Sequence, residues 1–160
     1  EYDELKEAME AAGVTVLNDA QTEISLTGEL ITLIGVNDPS YQTDYLFGDA
    51  KTVMNTKLEE LHTEQDRFTI LLSHRPELFD TYADHSIDLV LSGHAHGGQF
   101  RLPFIGGLIA PNQGLFPEYD AGIYTEGNTN MLVSRGIGNS ILPFRINNRP
   151  EVILIELQAE

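Results

Sequence analysis

Along the chain, stretches with helical apolar spacing alternate with short apolar runs of strand length. Leu5, Ala8, Met9 and Ala12 fall on one face of a helix over residues 3–12, and Gly13 follows as a stop signal. Residues 14–17, 23–27 and 30–36 are rich in branched or alternating apolar side chains and read as strands, with Thr27-Gly28-Glu29 as the hairpin turn between the last two. A second helix is predicted from about 49 to 62, with Met54, Leu58 and Leu61 on one face and acids with Lys57 on the other.

The next stretch is a strand, helix, strand unit. FTILLS (68–73) and IDLVLS (87–92) are continuous apolar runs, and between them Pro76 opens a helix carrying Leu78, Phe79 and Tyr82. Two such strands joined by a helix are expected to be parallel and buried, so both carboxyl ends emerge at one edge of the sheet. Ligands of open parallel sheets gather at that edge. Residues 98–130 are rich in Gly, Pro and Asn and read as irregular, and residues 131–134 and 152–157 read as further strands.

A chain of 160 residues with 41% hydrophobic content has the size of one ordinary domain. No apolar run approaches the ~20 residues needed to cross a bilayer, and no charged-then-apolar leader opens the sequence, so neither a spanning helix nor a signal peptide is expected within it. The absence of cysteine removes disulfides and thiolate metal ligands together. A net charge of −16 opposes a phosphate backbone, which argues against a nucleic-acid scaffold role. The charge is uneven: residues 1–66 hold 15 acids and 3 lysines, whereas all 6 arginines lie in residues 67–160 with 10 acids.

Candidate chemistry sits at the expected sheet edge. His74 follows the first buried strand, and Gly93-His94-Ala95-His96 follows the second. Adjacent strands lie ~4.8 Å apart and imidazole binds divalent ions at ~2.0–2.1 Å, so loops leaving neighbouring strands have the reach to share an ion. Gly93 and the Gly97-Gly98 pair allow the abrupt turns such a loop needs. Arg75, Arg101 and Arg135 stand beside these segments; clamping phosphate and pairing with the abundant acids are equally open readings for them. Arg67, Arg145 and Arg149 read as ordinary surface charges, and His62 and His85 as surface residues. Asn37 and Asp38 read as turn formers before Pro39, and Arg135-Gly136-Ile137-Gly138 as a tight turn. The apolar stretch 103–111 has two readings, a greasy lip for a lipid-like or envelope phosphodiester and plain core packing.

LLSHRPE (71–77), LSGHAHGGQFRLPFIGG (91–107) and LVSRGIGNS (132–140), in that order, resemble the last motifs of calcineurin-like metallophosphoesterases, nearest to the cell-envelope or membrane-associated phosphodiesterase branch. The likeness extends through Val14-Thr15-Val16-Leu17-Asn18 and Ile34-Gly35-Val36-Asn37-Asp38-Pro39. It implies an α/β fold, part of a two-sheet αββα sandwich, with residues 1–160 as the carboxyl-terminal portion of a single domain. It also implies His74 and His94 as ligands of one ion and His96 as a ligand of a second, the ions being manganese, iron or zinc. In that family a hydroxide held by two metals attacks the phosphorus of a phosphodiester or phosphomonoester.

The family's earlier motifs, an Asp-x-His, a Gly-Asp-x-x-Asp and a Gly-Asn-His, have no counterpart in this sequence. No catalytic acid is therefore expected in this chain, and without a bridging carboxylate it is expected to hold only part of the site and to be inactive alone. The alternative is a non-catalytic scaffold or single-metal module that completes a site only with another polypeptide. A half sandwich leaves a sheet face short of partners, so a homo-oligomer or a partner carrying the amino-terminal half is expected. The branch implies a bacterial membrane or cell-envelope setting for the parent protein.

Overall fold

The computed structural model describes residues 2–26, 28–41, 49–62, 67–138 and 144–158. Its centre is a six-stranded mixed sheet. The strands are β1 (Ala20–Leu26), β2 (Glu29–Gly35), β3 (Thr69–Leu72), β4 (Leu89–Ser92), β9 (Gly122–Glu126) and β10 (Thr129–Val133), in the order β1-β2-β3-β4-β10-β9. The four central strands β2, β3, β4 and β10 are parallel, and each edge strand is an antiparallel hairpin partner of its neighbour. The fold class is α/β, as the alternation of apolar runs and helical spacing implies.

Helices α2 (Ala50–Leu61) and α3 (Phe79–Asp84) cover one face of this sheet. Register sets Ile34 opposite Leu71, Leu71 opposite Val90 and Val90 opposite Met131, a row that crosses all four parallel strands. Each of these four side chains is fully buried, against Met54 and Leu58 of α2 and Phe79 and Tyr82 of α3. Asp49 caps α2 by accepting a hydrogen bond from the Thr52 amide at 2.7 Å. Helix α1 (Tyr2–Ala11) buries nothing, and its apolar stripe of Leu5 and Met9 is exposed.

Several expectations need correction. Residues 14–17 form no strand; instead Leu17 crosses so close to β2 that a Cβ on Gly35 would lie 2.4 Å from the Leu17 Cβ. Residues 152–157, despite their alternation, pair with no described strand, and Val152 and Leu154 stand almost fully exposed. Lys57 is not on a solvated face of α2. It is buried, and its ammonium donates to both Asp19 carboxylate oxygens at 2.8 and 2.9 Å and to the Asn37 carbonyl at 3.1 Å.

The region read as irregular contains β9 and two small hairpins, β5 (Arg101–Leu102) with β6 (Gly106–Gly107) and β7 (Ile109–Ala110) with β8 (Gly114–Leu115). The Thr27-Gly28-Glu29 turn is seen through its flanks, Leu26 pairing with Glu29 and Gly28 at φ 97°, while Thr27 lies outside the described residues. Asn139 and Ser140 of the last motif also lie outside them.

Candidate metal centre at the carboxyl edge of the parallel strands

Because β2, β3, β4 and β10 run the same way, their carboxyl ends deliver Asn37-Asp38, His74-Arg75, His94-Ala95-His96 and Ser134-Arg135 to one edge. The ladder continues just past the strands, with the Ser73 amide donating to the Leu91 carbonyl at 3.2 Å and the Ser134 amide to the Ser92 carbonyl at 2.9 Å. This carries His74 and His94 out of adjacent strands side by side. Their rings meet edge to face with centroids 4.4 Å apart and planes at 65°.

The turn after β3 is held by buried polar contacts. Tyr82, fully buried, donates its hydroxyl to the Arg75 carbonyl at 2.7 Å, so the Ser73 hydroxyl donates to the Tyr82 oxygen, also at 2.7 Å. Burial pushes the Tyr82 phenol above its usual range, which keeps it a donor at all physiological pH. The Arg75 guanidinium is 5% exposed and grips Asp38 through Nε at 2.8 Å and Nη2 at 2.9 Å. Its Nη1 donates to Glu77 at 3.0 Å.

Burial alone pushes the Asp38 carboxyl up. The hydrogen bonds from Arg75 and Ser40 outweigh burial and hold it well below the usual carboxylate range. Asp38 also accepts from the Ser40 amide at 2.9 Å, the turn contact its sequence position suggested.

The loop after β4 is built differently. His94, His96 and Gln99 all have positive φ, at 64°, 48° and 56°, a region that side chains other than glycine rarely occupy. The Asn148 amide donates to the His96 carbonyl at 2.6 Å and the Gln99 carbonyl at 3.2 Å and so pins the loop from below. Two close approaches require glycine. A Cβ on Gly97 would meet the Asn148 amide oxygen at 2.4 Å, and one on Gly98 would meet the Gly107 Cα at 2.3 Å. Around this loop the buried atoms Ser92 Oγ, Gln99 Oε1 and Asn148 Oδ1 have no hydrogen-bond partner among the described residues.

Burial pushes His94 down to about 4, helped by the neighbouring charges of His74 and Arg75, and burial with Arg145 and His74 lowers His96 as well. Both rings are therefore neutral near pH 7, the form that donates a lone pair to a metal. The Asn112 side-chain nitrogen lies 2.7 Å from His94 Nε2; donating to it places the ring proton on Nδ1, so a metal ligated by His94 would have to displace Asn112 or shift the tautomer. Among the described residues no group of three or more His, Asp or Glu side chains converges in a metal-holding arrangement. The residues fit a divalent ion as part of a shell: the adjoining imidazoles of His74 and His94 leave neighbouring strands, and the loop that carries His94 keeps strain and unpaired polar atoms that the described residues do not relieve.

The three arginines are engaged with carboxylates. Arg75 holds Asp38 and Glu77, Arg101 pairs with Asp120 at 2.9 Å, and Arg135 forms an ion pair with Glu151. Asp38 as partner of Arg75 escaped the sequence reading, because only the strand order sets the ends of β2 and β3 side by side. His85 is half-buried, with Nε2 2.9 Å from the Asn55 side-chain oxygen, and stands on α3 away from the strand ends.

Comparison with known proteins sets the chain beside metallophosphoesterases. The chain is 34% identical to the uncharacterized metallophosphoesterase YkuE of Bacillus subtilis (strain 168), over 96% of this chain and 50% of that protein. It is 32% identical to phosphodiesterase YaeI of Escherichia coli (strain K12), over 94% of this chain and 50% of that protein. An uncharacterized metallophosphoesterase of Aquifex aeolicus (strain VF5) is 31% identical over 93% of this chain and 52% of its own length. No family model and no solved structure matches the chain. The chain thus spans about half the length of the curated relatives it matches, and over that half it belongs to the metallophosphoesterase family.

Proposed function

We propose that this chain supplies His74, His94 and His96 to a divalent-metal centre of a phosphoesterase. The observation that carries the reading is the edge-to-face contact of His74 and His94 at the ends of adjacent parallel strands. When bound, divalent ions would supply Lewis-acid polarisation of phosphoryl oxygens and an activated water. The chain's own part is to present the imidazoles, those of His94 and His96 neutral, on loops set by Tyr82, Asn148 and the Gly98–Gly107 contact. The relatives carry as much sequence again, and the remaining ligands, the second ion and the proton donor to the leaving group are proposed to lie there.

Arg101 and Arg135, whose ion pairs are only partly buried, are proposed to turn toward a phosphoester. Arg75, locked between two carboxylates, instead positions His74. The test is calorimetric titration with manganese and zinc, followed by bis-nitrophenyl phosphate turnover for this chain and for one extended to the length of the relatives. Binding that disappears in His74→Ala and His94→Ala, with turnover only in the longer chain, supports the reading. Metal binding indifferent to both substitutions overturns it.

A further inference from the structure

Asn112 reaches His94 from a separate part of the fold, the turn of the β7–β8 hairpin, 18 residues further along the chain. Several contacts hold it there. Ala110, where the turn begins, is buried in the core, and its carbonyl accepts from the Gln113 amide at 3.3 Å. The Gln113 side chain grips the Tyr119 backbone with both ends, donating to the carbonyl at 3.0 Å and accepting from the amide at 2.8 Å. Tyr119 in turn packs edge to face against Phe79 and Tyr124. Leu108, just before the hairpin, donates its amide to the Phe100 carbonyl at 2.7 Å and so ties the hairpin to the exit of the histidine loop. Asn112 itself sits at φ 59°, a left-handed conformation that asparagine tolerates better than most side chains.

The amide of asparagine carries a donor and an acceptor at the two ends of one planar group, and half a turn about its last side-chain bond exchanges them. With the nitrogen toward Nε2, the proton of a neutral His94 stays on Nδ1. With the oxygen in that place, the proton moves to Nε2 and the lone pair to Nδ1. The ring is held at the same nitrogen in both settings, and only the character of the other nitrogen changes. A carboxylate there would offer acceptors alone, and an ammonium donors alone.

We propose that Asn112 is a positioning residue for His94: its amide holds the Nδ1–H tautomer in the metal-free chain and turns over to accept from Nε2–H when an ion takes Nδ1. The inference rests on the metal-centre reading and adds which ring nitrogen serves and what sets it. A ligating imidazole generally donates its second ring N–H to an oxygen, which fixes the ring and raises its basicity. Asn112 is placed to supply that oxygen.

Long-range proton–nitrogen NMR of the chain with isotope-labelled histidine reads the tautomer, the His94 signals being those absent from His94→Ala. His94 is expected as Nδ1–H in the metal-free chain and as Nε2–H once zinc is added. Asn112→Asp, an acceptor alone, should place the proton on Nε2 before zinc is added, without weakening zinc binding. Asn112→Gly suits the left-handed φ and should leave the thermal midpoint unlowered, yet end the Nδ1–H preference and weaken zinc binding about tenfold in calorimetry. Finding Nε2–H in the metal-free chain, or zinc on Nε2, overturns the proposal while leaving His94 a ligand. So does a tautomer and affinity unchanged in Asn112→Gly. Zinc binding that survives His94→Ala overturns the metal-centre reading itself, and the proposal with it.

Discussion

The two histidine-bearing turns leave adjacent parallel strands, yet they are secured in opposite ways. After β3, the polar groups around His74 are mostly paired, Ser73 with Tyr82, Tyr82 with the Arg75 carbonyl, and Arg75 with Asp38, Ser40 and Glu77, while Glu77 Oε2 and, on α3, Thr81 Oγ1 are unmatched among the described residues. After β4, the backbone is strained at His94, His96 and Gln99, and three buried oxygens around it go unmatched among the described residues. One turn is a finished structure and the other stores unfavourable free energy. This difference is the pattern expected when one ligand is held in advance and its neighbours are completed by something bound.

Breaking the finished turn should cost most. Arg75→Met strands the half-enclosed Asp38 carboxylate, and urea unfolding should show a loss of about 3 kcal/mol or more. A loss under about 1 kcal/mol would mean that the turn is not held by that pair. Tyr82→Phe leaves the Ser73 hydroxyl and the Arg75 carbonyl without their buried partner, and should cost about 1 to 2 kcal/mol in the same measurement. His96→Gly, on the strained turn, should instead raise stability by about 0.5 kcal/mol while weakening manganese or zinc binding in calorimetry. A loss of stability there would erase the contrast.

The smallest effect concerns pH. The Asp38 carboxyl titrates lower in the folded chain than in the unfolded one, so its pairing contributes fully above the unfolded carboxylate range near pH 4. That contribution is lost as pH falls through the folded value. Asp38→Asn should therefore flatten the acid limb of stability against pH below about 4, as followed by circular dichroism.

The sequence announced the strand, helix, strand unit because both strands read as unbroken apolar runs; the burial expected on both sides holds for one face, while Leu72 is exposed and Leu89 and Leu91 are half-buried on the other. Those runs placed His74, His94 and His96 at a common edge. Lys57 misled because helical spacing reports which face a residue occupies, not whether a distant carboxylate such as Asp19 waits beneath it. The Arg75–Asp38 pair was illegible for the same reason: it joins positions 37 residues apart, and only strand order makes them neighbours. Strand β9 was hidden because five residues between glycine-rich turns carry little periodicity. Residues 152–157 carry strand chemistry without a described partner, since alternation declares a capacity for pairing while tertiary context supplies the pair.

The crossing of Gly98 and Gly107 carries a mechanical consequence. Where two backbones touch through their α-carbons there is no soft side chain to absorb displacement, so the β5–β6 hairpin and the histidine loop form a single stiff lever. A displacement of the hairpin is therefore expected to be passed on to the peptide units around His96.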